Sequence, residues 1–474
     1  MNDAAGHHKF VKASAAQLVD HLKQATPEVK AAVTAATGAQ TDAEIEQHRM
    51  QLLADFTKVR DKAYEEVPEP YVHYVSRIDV VGLYQSVLSK VFGDIPGLQG
   101  YGDRNPAWVV TLLEQGAFKL KSFFHEIHEL RGSKKPLIQA IIEAWKDIKI
   151  SEAPYPPGVP TSLPLDETCT IALMADWGGD NPAAKNVAEI VRRAQPKIAI
   201  HLGDIYYGGV REECEAFLRN WPLQSDLEHS GNRIPTGSSF ALNGNHEMYS
   251  GGKSFFNVVL PAFGQSQPFF CFEGEFWRII GLDTAYLNGR LKPSGPEDPM
   301  AAQWNWLIGL LKNGPKRANI FLTHHQPVSA HTQEFHDSAT LRADVEELLD
   351  TQGVGQDAIF GWFFGHEHRC TIYKNEAAPY NARLIGSGCI PHEIQHETTC
   401  DPGCTSFDWV SGRGEDGTQN AISQYAELRF TRHYLTIVYT DERGTSLGWE
   451  QWDSQKGRLN GVPFIPDKTR YLQQ

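Results

Sequence analysis

The chain has 474 residues, of which 41% are hydrophobic and 22% are charged, and its formal net charge is −14. This length and composition are typical of a globular protein with two or three domains and more than one core. The negative charge disfavours a protein that binds nucleic acid through its phosphates, because no basic stripe replaces the counter-ions. No apolar run approaches the roughly 20 residues that a membrane-spanning helix needs. Because the polar N-terminus lacks an apolar leader, we expect a cytoplasmic protein.

The sequence of residues 1–150 predicts an all-α N-terminal domain. Its role is unknown, and oligomerisation or docking is the hypothesis for it. Ala, Leu, Glu, Gln and Lys dominate this part of the chain, and its apolar residues recur near helical spacing. We expect helices over residues 15–35, 42–66, 72–91, 107–130 and 135–148.

A Pro-rich segment at residues 151–167 predicts an extended linker outside any core. Residues 168–456 then alternate short apolar strands with polar loops and a few helices, and residues 457–474 form a tail. Strands mixed with helices in this way predict a layered α/β domain. The predicted strands are 170–175, 197–202, 240–242, 277–282, 320–323, 359–364, 383–386, 426–431, 434–440 and 446–451.

Metal-ligand residue types directly follow five of the predicted strands. Strand ends are rigid, and ligands from several strands can converge on one rim, so this pattern predicts a shared metal site. Two metals about 3.5–4 Å apart need one bridging ligand, which an aspartate carboxylate can provide. The residues at these strand ends are Asp176, Asp204, Asn245 with His246, His324 with His325, and His366 with His368.

The motifs around these residues resemble the five-block signature of the calcineurin-like metallophosphoesterases, and they occur in that family's order. The resemblance extends from about Cys169 to Gln451. It implies an α/β fold in which helices flank a two-sheet β-sandwich. The five blocks are Asp176-x-Gly178, Gly203-Asp204-x-x-Tyr207, Gly244-Asn245-His246-Glu247, the histidine before Gln326-Pro327, and Gly365-His366-Glu367-His368.

Two details resemble the purple acid phosphatase branch of this family. Gly178 stands where most of the superfamily has a histidine, and Tyr207 stands where that branch has a tyrosinate ligand. The resemblance implies two metal ions, Fe(III) beside Fe(II), Zn(II) or Mn(II), which Asp204 would bridge. The implied ligands are Asp176, Tyr207 and His368 for Fe(III), and Asn245, His325 and His366 for the second ion. Tyr207 as a packed aromatic is the alternative.

One choice between adjacent histidines and the roles of two further histidines complete the implied site. Adjacent strand side chains point in opposite directions, so only one of His324 and His325 faces the site, and the His-x-Pro spacing favours His325. By the resemblance, His246 would face the phosphate, and would stabilise the developing charge or protonate the leaving alkoxide. His331 would assist it.

The resemblance therefore implies hydrolysis of a small-molecule phosphate ester by a metal-bound hydroxide, with phosphomonoesters as the leading substrate class. A phosphodiesterase that uses the same site and a non-catalytic metal-binding scaffold remain open alternatives. His392, His396, Cys400 and Cys404 recur at intervals of four, but Pro402-Gly403 interrupts them, which disfavours a zinc site. Without a secretory leader, the seven cysteines are expected to be mainly buried thiols.

Overall fold

The computed structural model of the chain describes residues 4–63, 76, 78–92, 137–148, 152–178, 180–224, 234–313, 315–329, 338–373, 380–390, 393–394, 404–405, 410–413, 419–456 and 465–466. Within these ranges, no helix is both long enough and apolar enough to cross a membrane.

The described part of the N-terminal region is helical, as predicted. Its helices are α1 Ala4–Gln24, α2 Pro27–Thr37, α3 Asp42–Lys62, α4 Asp79–Phe92 and α5 Leu137–Ile148. The helix predicted over 15–35 is instead two helices, because Thr26 caps α2 by accepting a hydrogen bond from the Val29 amide, and Pro27 occupies the first turn. The helix predicted over 107–130 lies outside the described residues.

The five helices α1, α2, α3, α4 and α5 share one apolar core. The aromatic rings of Phe56, Tyr84 and Trp145 lie at its centre, with centroids 5.3 to 6.2 Å apart. Val210, which lies far along the chain, also packs in this core. The helical region is therefore in contact with the rest of the protein.

The remainder of the described chain forms two large sheets and one small one. One large sheet has the strand order β1-β5-β6-β7-β8-β10-β9-β12, and the other has β18-β17-β16-β15-β2-β3-β4. The small sheet is β11-β14-β13. The strands are β1 Leu163–Pro164, β2 Thr170–Met174, β3 Ile198–His201, β4 Ser239–Ala241, β5 Phe270–Glu273, β6 Trp277–Gly281, β7 Ala318–Thr323, β8 Gly361–Phe364, β9 Cys370–Tyr373, β10 Asn381–Ile385, β11 Glu393–Ile394, β12 Cys404–Thr405, β13 Val410–Arg413, β14 Gln419–Ala421, β15 Gln424–Thr431, β16 Tyr434–Asp441, β17 Ser446–Asp453 and β18 Ile465–Pro466.

The two large sheets face each other and enclose the main core. Ile171 and Leu173 of β2 pack in the same apolar layer as Ile320 and Leu322 of β7. Strands β2, β3 and β4 are mutually parallel, and so are β6, β7 and β8. The carboxyl ends of parallel neighbours meet at one edge of a sheet. This arrangement places the polar loops after these strands together.

Helices cover the outer faces of both sheets, which confirms the predicted α/β sandwich flanked by helices. Val187 and Phe217 pack against β2 on one side, whereas Trp304 and Leu341 pack against β7 and β8 on the other. These helices are α6 Pro182–Ala194, α7 Arg211–Asn220, α8 Asn245–Met248, α9 Leu260–Phe263, α10 Ala301–Asn313 and α11 Ser338–Glu346, with π-helical turns at Phe255–Val259 and Glu347–Thr351 and a 3-10 turn at Gln356–Ala358.

The Pro-rich segment 152–167 differs from the prediction. It is extended, but it packs on the sandwich and adds β1 in parallel to β5. The Tyr155 ring lies 4.8 Å from that of Tyr286 and 6.2 Å from that of Phe256, and the Ala153 amide donates to the Gly251 carbonyl. An aromatic side chain in a proline-rich stretch can be buried even where the backbone is extended.

Candidate metal centre

The loops after five parallel strands converge on one buried cluster of polar side chains. Ligand atoms of Asp176, Asp204 and His368 all lie within 4.8 Å of one another, as do those of Asp204, His324 and His366. Asp204 thus belongs to both groups. The structure therefore brings together the predicted strand-end residues.

Three of these residues adopt backbone conformations that non-glycine residues rarely use. The φ angles are 55° at Asp176, 73° at Asp204 and 71° at His366, all in the left-handed region. Such conformations cost of order 1–3 kcal/mol each and persist only where the surroundings enforce them. Here the His366 amide donates to Asp176 Oδ2 at 2.9 Å, and the His246 amide donates to Asp204 Oδ1 at 3.1 Å. Each carboxylate therefore holds the neighbouring loop in place.

Gly178 leaves no room for a side chain at the position where most of the superfamily has histidine. A Cβ added there would lie 2.3 Å from Ile205 Cα and 2.6 Å from the Asp204 carbonyl oxygen. Both of these are backbone atoms, which cannot move aside easily. A ligand at this point of the centre must therefore come from another residue.

Tyr206 supplies a hydroxyl to the cluster, whereas the sequence predicted Tyr207. The Tyr206 hydroxyl lies 2.9 Å from Asp176 Oδ1, 2.9 Å from His368 Nε2 and 3.5 Å from Asp204 Oδ2. The Tyr207 side chain packs instead against the apolar cluster outside the sandwich. Adjacent side chains leave the backbone in different directions, so only one of the two rings reaches the carboxylates. Asp176, Asp204, Tyr206 and His368 are called the Tyr206 cluster below.

His324 takes the place that the sequence predicted for His325. Its Nε2 atom lies 2.9 Å from Asn245 Oδ1, 3.2 Å from His366 Nδ1 and 3.2 Å from Asp204 Oδ1. Asp204, Asn245, His324 and His366 are called the Asn245 cluster below.

His325 contacts a different hydroxyl group, that of Thr284. Its Nδ1 atom lies 3.0 Å from the Thr284 hydroxyl, and its ring packs 4.7 Å from the ring of His366. Burial lowers the pKa of His325 to about 3, so the imidazole is neutral. The His-x-Pro spacing did not determine which of the two adjacent histidines faces inward.

The hydrogen bonds of His324 define its tautomer. Its Nδ1–H donates to the Leu202 carbonyl at 3.1 Å, and burial holds the pKa of His324 well below its usual range. The imidazole is therefore neutral, and Nε2 carries a lone pair. This lone pair faces the oxygen atoms of Asn245 and Asp204, which are also acceptors. A cation between these atoms would satisfy all three, so this group fits a metal ion.

The carboxylates also suit a bound cation. Burial, followed by the charges of Asp176 and Glu247, raises the pKa of Asp204 well above its usual range. Burial, followed by the charges of Asp176 and Asp204, raises the pKa of Tyr206 well above its usual range. Metal ions nearby would reverse these trends, since they favour deprotonated oxygen ligands. The donor set therefore fits two metal ions that share Asp204.

His246 lies beside the clusters with one nitrogen already used. Its Nδ1–H donates to the Tyr207 carbonyl at 2.6 Å, and its Nε2 atom lies 3.7 Å from Asp204 Oδ2. Its ring contacts that of Tyr206, with centroids 4.7 Å apart. His246 is therefore oriented with Nε2 toward the carboxylates. His331, predicted to assist it, lies outside the described residues.

Glu247 connects two loops of the centre. Its Oε2 atom accepts hydrogen bonds from the backbone amides of Asp204 and Gly244, at 3.2 and 3.1 Å. Burial raises the pKa of Glu247 to about 8. Its contacts are those of a residue that orients a loop.

Sequence reasoning missed Tyr249. Its hydroxyl accepts a hydrogen bond from Asn245 Nδ2 at 3.0 Å, and its ring lies 4.5 Å from that of His246. The spacing of four residues from Asn245 was the available signal, because residues i and i+4 of a helix are neighbours.

The cysteines and the second histidine group are only partly described. Cys169, Cys214, Cys271, Cys370 and Cys389 are buried free thiols, as expected. His392, His396 and Cys400 lie outside the described residues, and of Cys404 the structure describes the backbone in β12 alone.

Comparison with known proteins finds a family that is similar to the region around this centre. The family model described as calcineurin-like phosphoesterase matches residues 169–370, which hold the residues of both clusters. The human cyclic GMP-AMP phosphodiesterase SMPDL3A is 24% identical over 176 residues, which are 36% of this chain and 36% of that protein. The chain thus matches about a third of the length of that relative.

Two further relatives are phosphatases. Rabbit tartrate-resistant acid phosphatase type 5 is 23% identical over 317 residues, which cover 60% of this chain and 92% of that protein. The purple acid phosphatase PPD1 from yellow lupin shares 15% identity with a TM-score of 0.40, over 60% of this chain and 53% of that one. Residues 169–370 thus match the calcineurin-like phosphoesterases, a family of binuclear metal-dependent enzymes, and the homologues of the chain include purple acid phosphatases.

Proposed function

We propose that this chain hydrolyses phosphomonoesters at a binuclear metal centre. The observation that carries the proposal is the position of Asp204, whose carboxylate lies within 4.8 Å of the ligand atoms of two separate groups. A shared carboxylate is what two adjacent metal ions require. When bound, such a pair polarises a phosphoryl oxygen and supplies the nucleophile by lowering the pKa of water.

The ligands proposed for the two metals follow from the two clusters. In the Tyr206 cluster, Asp176, Tyr206 and His368 would hold the first metal, together with Asp204. Carboxylate and phenolate oxygens suit a hard ion such as Fe(III). In the Asn245 cluster the amide oxygen and two imidazoles would hold Fe(II), Zn(II) or Mn(II), again with Asp204.

His246 is proposed as the acid group of the reaction. The Tyr207 carbonyl accepts a hydrogen bond from its Nδ1–H, so the second proton of the imidazolium would lie on Nε2, where it is available to the leaving alkoxide. A proton at Nε2 would also stabilise negative charge that develops on the phosphate.

The relatives favour monoesters as substrates. The match to the acid phosphatase covers 92% of that protein, whereas the match to the cyclic GMP-AMP phosphodiesterase covers 36% of that relative. The substrate-binding loops that set specificity lie largely between the shared motifs, so the longer match carries more weight. Phosphodiester hydrolysis, after the phosphodiesterase relative, is the second candidate.

The test combines metal analysis with two chromogenic substrates. We expect two metal ions per chain, and a higher kcat/KM for p-nitrophenyl phosphate than for bis(p-nitrophenyl) phosphate. Asp204→Asn should lose both metals and lower kcat/KM at least about 1000-fold, because both metal sites lose their common ligand.

Asp283→Asn is the matched control. Asp283 is also a buried aspartate at a strand end, and burial raises its pKa to about 7. Its Oδ1 atom accepts hydrogen bonds from the amides of Ala285 and Tyr286, and Asp283 belongs to neither cluster. Because asparagine keeps this acceptor oxygen, the control should keep both metals. Absence of bound metal in the wild type after reconstitution with Fe, Zn or Mn would refute the proposal. Preference for the diester would replace it with the second candidate.

A further inference from the structure

Helix α4 of the N-terminal region contacts the loops that carry the metal centre. A Cβ added to Gly82 of α4 would lie 2.8 Å from the ring of Tyr249, so helix and ring are in direct contact. A Cβ added to Gly208 would likewise lie 2.9 Å from Ser86 Oγ. Gly208 is two residues after Tyr206. The helix therefore packs against the loop after β3 and against the end of α8.

The buried Glu213 carboxylate holds the loop after β3 where this loop meets α4. The Oε2 atom of Glu213 accepts hydrogen bonds from the amides of Gly208 and Val210 at 2.9 and 3.1 Å, whereas the Ser86 hydroxyl donates to the Gly82 carbonyl of its own helix at 3.5 Å. Val210 in turn packs in the core of the helical region. Loop and helix are thus joined by the apolar packing of Val210 and by the close approach of Gly208 to Ser86.

Tyr249 transmits the second contact to Asn245. Because Asn245 Nδ2 donates to the Tyr249 hydroxyl at 3.0 Å, Oδ1 must face His324 Nε2 and His366 Nδ1, at 2.9 and 2.8 Å. A flipped amide would place its NH₂ group there, which has no lone pair for a metal. Only the observed orientation gives the centre an oxygen ligand.

We infer that Tyr249, packed against α4 at Gly82, is a positioning residue for the metal-dependent function proposed above. Its hydroxyl fixes the amide of Asn245 with Oδ1 toward the metal site, and its ring fixes the imidazole of His246 at 4.5 Å. The N-terminal region is then part of the structure that makes the centre competent to bind metal. Loss of a group that orients a metal ligand typically lowers metal affinity roughly 10–100-fold.

The test asks whether Tyr249 acts through the orientation of Asn245. Tyr249→Phe keeps the ring and removes the hydroxyl. We expect it to weaken binding of Mn²⁺ to the weaker of two sites about 10–100-fold, in calorimetric titration of the metal-depleted full-length chain. In an Asn245→Asp background the same change should have no effect, because the two oxygens of a carboxylate are equivalent and need no orientation.

Each outcome has one meaning. An equal loss of Mn²⁺ affinity in both backgrounds would show a general structural effect and overturn the inference, as would unchanged affinity in the Asn245 background. A wild-type chain that binds no metal would instead refute the proposed function itself. Two bound metals and phosphatase activity, with no effect of Tyr249→Phe, would overturn the inference alone.

A second pair of variants tests the role of α4. Gly82→Ala forces a methyl group toward the Tyr249 ring and should lower Mn²⁺ affinity at the same site as Tyr249→Phe. Gly309→Ala in α10 is the control, since a Cβ there has no atom within 4 Å. Circular dichroism and the melting temperature report whether the fold is kept. Equal Mn²⁺ affinity in the two folded glycine variants would overturn the role given to α4.

Discussion

The two candidate metal-binding clusters share Asp204 but differ in the chemistry of their other donors. The Tyr206 cluster adds a carboxylate, a phenol and one imidazole, whereas the Asn245 cluster adds a neutral amide and two imidazoles. The first is richer in oxygen and in negative charge. Oxygen-rich anionic donors select hard ions, while imidazoles select borderline divalent ions.

Under the proposed function, this difference would let one bridging residue serve two unlike ions. The carboxylate of Asp204 is common to both, so the selectivity of each site must come from the residues that are not shared. Variants in unshared residues should therefore affect one metal at a time.

The largest effect is expected for His324→Asn compared with His325→Asn. Asparagine can replace the hydrogen bond of Nδ1 but does not reach the position of Nε2. His324→Asn should therefore remove the ligand atom and lose the metal of the Asn245 cluster. We expect kcat/KM to fall at least about 100-fold, which is more than the usual loss when a residue that only orients a ligand is replaced.

His325→Asn should keep both metals, because its Nδ1 contact with Thr284 is the one that asparagine can replace. Metal content by plasma mass spectrometry and kcat/KM for p-nitrophenyl phosphate are the measurements. Loss of metal in His325→Asn but not in His324→Asn would reverse the assignment.

An intermediate effect is expected for Tyr206→Phe compared with Tyr207→Phe. If Fe(III) is bound, a phenolate ligand gives a broad visible absorption band, and Tyr206→Phe should abolish it and reduce activity about tenfold. Tyr207→Phe should leave the band in place, since that ring packs in an apolar cluster. A band that survives Tyr206→Phe and disappears in Tyr207→Phe would restore the prediction made from the motif.

The smallest effect is expected for Gly365→Ala. The added Cβ would lie 2.4 Å from Asp176 Oδ2 and 2.8 Å from Ala175 Cβ, so Asp176 must shift. Overpacking of this kind costs typically about 1–3 kcal/mol. We expect affinity for the metal of the Tyr206 cluster to fall several-fold while the Asn245 cluster is unchanged, as measured by competitive chelation. A loss confined to the Asn245 cluster would contradict this result.

Much of the fold could be predicted because the sequence repeats a simple pattern. Apolar runs such as Ile198–His201 are short and buried on both sides, and each ends at a polar residue. Parallel neighbours then place those polar residues at the same edge. The order of the five motifs was therefore enough to predict a shared metal site.

What could not be predicted was decided by tertiary contacts. Whether Tyr206 or Tyr207 faces Asp176 depends on the course of the loop after β3, and motif spacing does not encode that course. The choice between His324 and His325 has the same cause. Tyr155 was assigned to a linker because prolines surround it, but its ring stacks on Phe269 at 6.4 Å.

The packing of segment 152–167 has a consequence for dividing the chain into smaller expressible pieces. A fragment that begins after residue 167 would lack the Tyr155 ring and β1, and would expose Phe269 and the edge of β5. Bare apolar surface and an unpaired strand edge both promote aggregation. A fragment that begins at residue 152 would keep that cover but would leave Tyr249 and Gly208 without the helix that packs on them. We therefore expect the part of the chain that carries the candidate metal centre to need the helical region for stable expression.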